Sequence, residues 1–152
     1  NLKKICVLAA YVKRMSNLIL LCEESDFLPA KELEYCLRES VENLKVCKIA
    51  VSLSGKCEGV LKKQDLIALY ETYEKLMEQI LGDVDAVLLH LQSANRQVVL
   101  KVNIAGNTTC LSRVRDIAVA GNIQIRKRIQ NEECQVRLYA GKEIGKNERN
   151  DM

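Results

Sequence analysis

The stretch Asp65-Leu66-Ile67-Ala68-Leu69-Tyr70-Glu71-Thr72-Tyr73-Glu74-Lys75-Leu76-Met77-Glu78-Gln79-Ile80-Leu81 decides the fold. Its apolar residues recur at spacings of three and four, which predicts an amphipathic helix over 64–81, ended by Gly82. Two apolar strands follow. Val84 to Leu91 is apolar on both faces, as a central strand would be. Arg96 to Ile104 puts Val98, Leu100, Val102 and Ile104 on one side, and Ser93-Ala94-Asn95 supplies the turn between the two strands. The second strand closes on a short glycine loop, Asn103-Ile104-Ala105-Gly106.

Upstream, Leu2 to Glu24 reads as a helix whose apolar stripe is Leu2, Ile5, Ala9, Val12, Met15, Ile19 and Cys22, widened by Leu8 and Leu18. Lys3, Lys4, Lys13, Arg14 and Asn17 lie off that stripe. So broad a stripe asks for partner helices on more than one side, as in a bundle, or for a helix packed on its own domain. Ser25 to Leu28 make a link. Pro29 suits the first turn of a second helix reaching Val46, with Leu33, Leu37, Val41 and Leu44 inward. Lys48 to Ser54 alternate as a strand, and Gly55 to Gly59 form a polar loop.

Downstream, Cys110 to Ala120 reads as a short helix, capped by Thr108 or Thr109 and stopped by Gly121. Ile123 to Ile129 and Cys134 to Tyr139 alternate around Asn131-Glu132 as a hairpin. From Gly141 the chain is charged and poor in apolar residues. One mixed sheet with helices on a single face is the economical packing for this order, an α/β sandwich in two layers.

Composition narrows the class. The chain has 152 residues, of which 48% are hydrophobic and 28% charged, with one proline, so it folds. With 4% aromatic residues the core is aliphatic. A net charge of +3 is too near balance to argue for a nucleic-acid partner, and none is expected. The run Arg126-Lys127-Arg128, with Arg113, Arg115 and Arg137, has no aromatic residues for stacking and reads as a charged, protected edge. Cys6, Cys22, Cys36, Cys47, Cys57, Cys110 and Cys134 are scattered singly, which suits reduced thiols in a cytoplasm better than zinc or disulfides. The first helix is interrupted by Lys13 and Arg14, so no membrane span is expected in this fragment. The N-terminal segment looks like the middle of a longer helix, with any membrane anchor of the parent protein upstream. His90, the one histidine, lies in an apolar strand and reads as a satisfied sheet residue rather than a catalytic group.

In its element order, roughly from Pro29 to Ala140, the chain resembles the ATPase fold shared by gyrase, the large heat-shock chaperone, MutL repair proteins and bacterial sensor histidine kinases. The segments Leu37-Arg38-Glu39-Ser40-Val41-Glu42-Asn43-Leu44 and the Tyr-rich helix after it look like the C-terminal portion of divergent Gram-positive sensor kinases. The resemblance implies three regions. Residues 1–27 would be the second helix of a dimerisation hairpin, 28–145 an ATPase-like domain, and 146–152 a flexible tail. It also implies a homodimer through the N-terminal helix, and a response regulator or other signalling protein as partner. Its cofactors would be ATP and Mg²⁺, and its chemistry transfer of the γ-phosphoryl group to a histidine.

Against the family's Leu-Val-Glu-Asn-Ala pattern, Leu76-Met77-Glu78-Gln79-Ile80 gives Glu78 the general-base position and Gln79 the metal-binding amide. Gln adds a methylene, which should weaken an octahedral Mg²⁺ site. A second register puts Glu74 and Glu78, one helical turn apart, at the positions of two family asparagines. On the remaining reading, Glu74, Glu78 and Gln79 are a solvated face. The family's Asp-x-Gly-x-Gly box corresponds to Asn103-Ile104-Ala105-Gly106-Asn107, where Asn103 could offer a carbonyl to adenine and Gly106 a close backbone approach. Ala105 replaces a glycine, and Asn107-Thr108-Thr109 is too short to be a phosphate lid. An ordinary strand-to-helix turn is the other reading. Two functions stay open: a degenerate kinase with weak or absent ATP binding, and an interaction module that never binds nucleotide. Any nucleotide site requires Glu78 and Asn103 to meet across one crevice.

Overall fold

Alternating apolar strands and amphipathic helices assemble as a sandwich because each element has one greasy face to cover. The computed structural model describes residues 2–94, 97–117 and 119–141. The elements run α1 (Leu2–Cys22), β1 (Phe27–Pro29), α2 (Lys31–Val46), β2 (Ala50–Gly55), β3 (Val60–Lys62), α3 (Lys63–Ile80), β4 (Val84–Ala94), β5 (Gln97–Gly106), α4 (Thr108–Arg115), β6 (Gln124–Gln130) and β7 (Glu133–Ala140). The main sheet has the order β2-β4-β5-β7-β6, with β2 parallel to β4 and the other pairs antiparallel. The two-layer α/β arrangement with a mixed sheet and an N-terminal helix is therefore present.

Register fixes which face is which. Val98, Leu100, Val102 and Ile104 of β5 are buried, with Cys134, Val136, Leu138 and Ala140 of β7, under α2, α3 and α4. The intervening residues form the other face, which carries no helix among the described residues. Leu33, Leu37, Val41 and Leu44 of α2 are buried as their spacing predicts, and so are Leu69, Tyr73, Leu76 and Ile80 of α3. Each fully buried side chain of this size contributes about 1.5–3 kcal/mol.

Several local expectations are corrected. The link expected at 25–28 and the stretch between the loop at 55–59 and the helix at 64 hold a small second sheet, in which β1 pairs antiparallel with β3. Pro29 ends β1 instead of opening α2, which starts at Lys31 after Ala30. The cap of α4 is Asn107, whose side chain accepts from the Cys110 amide at 2.9 Å, and the helix stops at Arg115. The expected turn reaches outside the described residues at Asn95, while Ser93 and Ala94 extend β4. The tail at 146–152 is also outside them. The hairpin at Asn131-Glu132 forms as expected, joining β6 to β7, with Asn131 at φ +52°.

The largest correction concerns α1, which packs across the outer side of α2 and α3 as a further layer. Val7, Arg14, Leu18 and Cys22 are buried against the domain, while Leu2, Ile5, Val12 and Ile19 of the expected inward stripe stay exposed. A helix apolar on most sides has no unique inward face in its periodicity, so the polar partner available to Arg14 selects the side that docks. By length and composition alone, Lys4–Cys22 is long and apolar enough to cross a membrane, with a mean hydropathy of 1.6.

Candidate functional site

Polar residues on the outer side of α3 meet α1 in a buried network. Tyr70 lies one helical turn before Glu74, and its hydroxyl donates to Glu74 Oε1 at 2.6 Å. Arg14 enters from α1. Its Nη2 donates to the same Glu74 oxygen at 3.2 Å, and its Nε donates to the Tyr70 hydroxyl. Beside them, the Ser40 hydroxyl of α2 and the Tyr73 hydroxyl are 2.9 Å apart. Arg14 and Glu74 are each 5% exposed, so the pair is sealed from water.

Burial pushes the Glu74 carboxyl upward, while the Tyr70 hydroxyl and the Arg14 guanidinium pull it part-way back. Burial, and then the Glu74 charge, push the Tyr70 hydroxyl far above its usual range. For Arg14, burial acts downward but is outweighed by Tyr70 and Glu74, so the guanidinium is held more firmly charged. Removing one partner from such a site strands a buried charge.

The expected site residues do not assemble around this network. Glu74, expected on a solvated face or at a nucleotide, is consumed inside the protein by Arg14 and Tyr70. Glu78, one turn on, pairs with Lys4 of α1 at 3.7 Å, on a partly exposed surface. Gln79 is exposed, and no cluster of three or more metal-ligating His, Cys, Asp or Glu side chains exists among the described residues. Asn103 is exposed on the helix-free face of the sheet, opposite Leu88 of β4 and Gln135 of β7. Glu78 thus faces α1, while Asn103 faces away from the helix layer. The alternation of β5 is the reason: Val102 and Ile104 claim the helix side, which turns Asn103 away.

Gly106 does have a steric role. A Cβ there would come within 2.9 Å of Cys110 Sγ and 3.0 Å of its Cβ. The glycine lets α4 close on the end of β5, and the space beside its backbone is filled by Cys110. Of the four residues expected at a nucleotide, Glu74 is buried against α1, Gln79 and Asn103 are exposed, and Gly106 lies against Cys110.

His90 is half-buried on the helix-free face, with Nδ1 2.9 Å from Ser54 Oγ, as a satisfied sheet residue would be. Sequence reasoning missed Arg14 and Tyr70. The signal for them was a lone arginine inside an otherwise apolar stretch, matched by a Tyr/Glu pair four apart on a later helix.

No protein-family model and no curated protein sequence matches the chain. Solved structures do. The histidine kinase domain of the blue-light-activated kinase EL346 from Erythrobacter litoralis superposes with a TM-score of 0.59 at 11% identity, over 89% of this chain and 74% of that one. This is the histidine kinase catalytic-domain fold. The Acinetobacter baumannii histidine kinase AdeS gives a TM-score of 0.50 at 14% identity, over 90% and 79% of the two chains. The cytoplasmic segment of the histidine kinase QseC gives 0.50 at 12%, over 91% and 90%. At such identities the likeness is one of fold. On this fold, α3 carries Tyr70 and Glu74 turned towards α1.

Proposed function

We propose that the chain is the catalytic-domain-like portion of a bacterial two-component sensor histidine kinase, degenerate at its nucleotide site and signalling as a cytoplasmic dimer. The single observation that carries this reading is the Arg14–Tyr70–Glu74 network. A carboxylate at a position where the family holds metal and nucleotide is neutralised here by an arginine of the same chain, so ATP and Mg²⁺ have weak or no purchase. The fold supports kinase descent, and the steric use of Gly106 supports loss of the phosphate cradle.

The organisation proposed is a dimerisation helix over 1–27 and an ATPase-like domain over 28–145. The face of α1 left uncovered by the domain carries Leu2, Ile5, Val12 and Ile19 at intervals of three, seven and seven, the seam spacing of a helical pair. That face favours a scaffold role, a pseudokinase that pairs with its own copy and engages a response regulator or another signalling protein. Calorimetric titration of the purified chain with Mg-ATP tests the proposal. A flat trace is expected, and a saturable heat would overturn the degenerate-site reading.

A further inference from the structure

The helix-free face of the main sheet carries a row of basic side chains without an ion-pair partner among the described residues. Lys101 of β5 stands opposite Arg137 of β7, and Arg137 opposite Arg126 of β6. Directly opposed residues share a face, so these side chains line up across neighbouring strands, and Arg128 stands two residues along from Arg126 on the same side. Like charges placed directly opposite one another are unfavourable. Other cations of the protein lie beside carboxylates: Arg14 with Glu74, Arg38 with Glu34, Arg113 with Asp83, Lys63 with Asp26 and Lys75 with Glu71. None of the ion pairs among the described residues involves Lys101, Arg126, Arg128 or Arg137. Glu133 is the lone carboxylate at the outward positions of these strands. With a net charge of only +3, this is a local concentration rather than a general excess.

We propose that this face docks an acidic amphipathic helix of a partner protein, lying across the strands. Lys101 and Arg137 belong to interior strands whose backbone groups are already paired, so the partner is read by side chains and not by strand addition. Carboxylates at i, i+3, i+7 and i+10 of a helix step about 5–6 Å apart, close to the repeat of about 4.8 Å between the strands that bear the cations. Beside the row is a shallow groove of about 450 Å³ whose lining includes Ala86, Leu88, Asn103, Arg128, Gln135 and the one carboxylate, Glu133. Leu88, 56% exposed, gives the apolar side of such a helix a place to rest. A helix seated there covers the sheet face that the domain's own helices leave bare. Nucleic acid fits less well: Tyr139 is the one aromatic ring on this face, and Arg126 sits over it at 5.7 Å.

The proposal gives the partner of the signalling module a chemical class, and it stands on the charge row even if the nucleotide site proves active. The test is fluorescence anisotropy of the full chain with a labelled alanine-rich helical peptide bearing glutamate at i, i+3, i+7 and i+10. Saturable, salt-sensitive binding is expected. It should weaken by about tenfold or more in R126E/R137E, and by less than about twofold in K31E/K45E, which changes the net charge equally on another surface. Circular dichroism of both variants establishes that they are folded. Absence of peptide binding by the wild type, equal loss in both variants, or tighter binding of an oligodeoxythymidylate than of the peptide would overturn the proposal. Mg-ATP calorimetry on the same samples separates this outcome from the fate of the degenerate-site reading.

Discussion

Arg14 of α1 and Glu74 of α3 form an ion pair at 3.2 Å between residues sixty positions apart, each almost completely excluded from water. It latches the N-terminal helix α1 to α3 of the domain. Arg14→Met or Glu74→Leu alone should each cost about 3–5 kcal/mol, because each leaves a buried charge without a partner. The double variant R14M/E74L should recover most of that loss. Urea denaturation of all four proteins reads the coupling, and additive losses in the double variant would show that the two side chains act independently.

Alkaline pH should weaken the fold. Burial pushes the Cys36 thiol from 9.0 up to about 12, and the Cys57 thiol up to about 11. Both folded values lie above the unfolded one, so the native state keeps protons that the unfolded chain gives up. Stability is then fully present below pH 9 and is lost as pH rises towards 11–12, by up to about 1.4 kcal/mol per pH unit for each thiol. Tyr70 and Tyr73, also raised by burial, act with the same sign. Urea midpoints measured from pH 7 to 11 check this, with Cys36→Ala removing one share of the slope. A pH-independent midpoint would refute it.

Native-state alkylation should separate the cysteines. Cys6 is exposed, while Cys36, Cys57, Cys110 and Cys134 are buried. Iodoacetamide at mild alkaline pH should modify Cys6 first and reach Cys36 and Cys57 only after unfolding. Peptide mapping by mass spectrometry gives the order, and early labelling of Cys57 would contradict the packing described.

Gly106→Ala should cost about 1–3 kcal/mol, since the added methyl collides with Cys110 at the junction of β5 and α4. Gly82→Ala is the matched control. Nothing lies within 4 Å of a Cβ at Gly82, and its effect should stay within about 0.5 kcal/mol. Equal effects at the two positions would show that the collision is not what constrains residue 106.

Ile5, Val12 and Ile19 are 61%, 60% and 50% exposed on the outer side of α1. If that face is the dimer seam, I5E/V12E/I19E should sediment as a monomer at concentrations where the wild type is a dimer, with unchanged circular dichroism. A wild type that is monomeric throughout would remove the dimer from the proposal.

Periodicity gave away the elements that have one apolar side. The inward residues of α2, the alternation of β5 and β7, and the hairpin at Asn131-Glu132 all follow from local pattern. β1 and β3, three residues each, are too short for a period to show, and they exist because they pair with each other. The candidate site was misread for a related reason. Spacing identifies which residues share a helix face, but not which neighbour will cover that face. Glu74 and Glu78 do share a side of α3, as their spacing says, yet that side is met by Arg14 and Lys4 of α1.

By itself the sequence determined the order of helices and strands, the two-layer packing and the likeness to a kinase domain, because each depends on patterns a few residues long. Only the tertiary structure decided that α1 docks through Arg14, that Asn103 turns away from the helix layer, and that Lys101, Arg126 and Arg137 fall into one row. Those facts depend on strand register and on the pairing of a buried charge, and both join residues far apart in the chain.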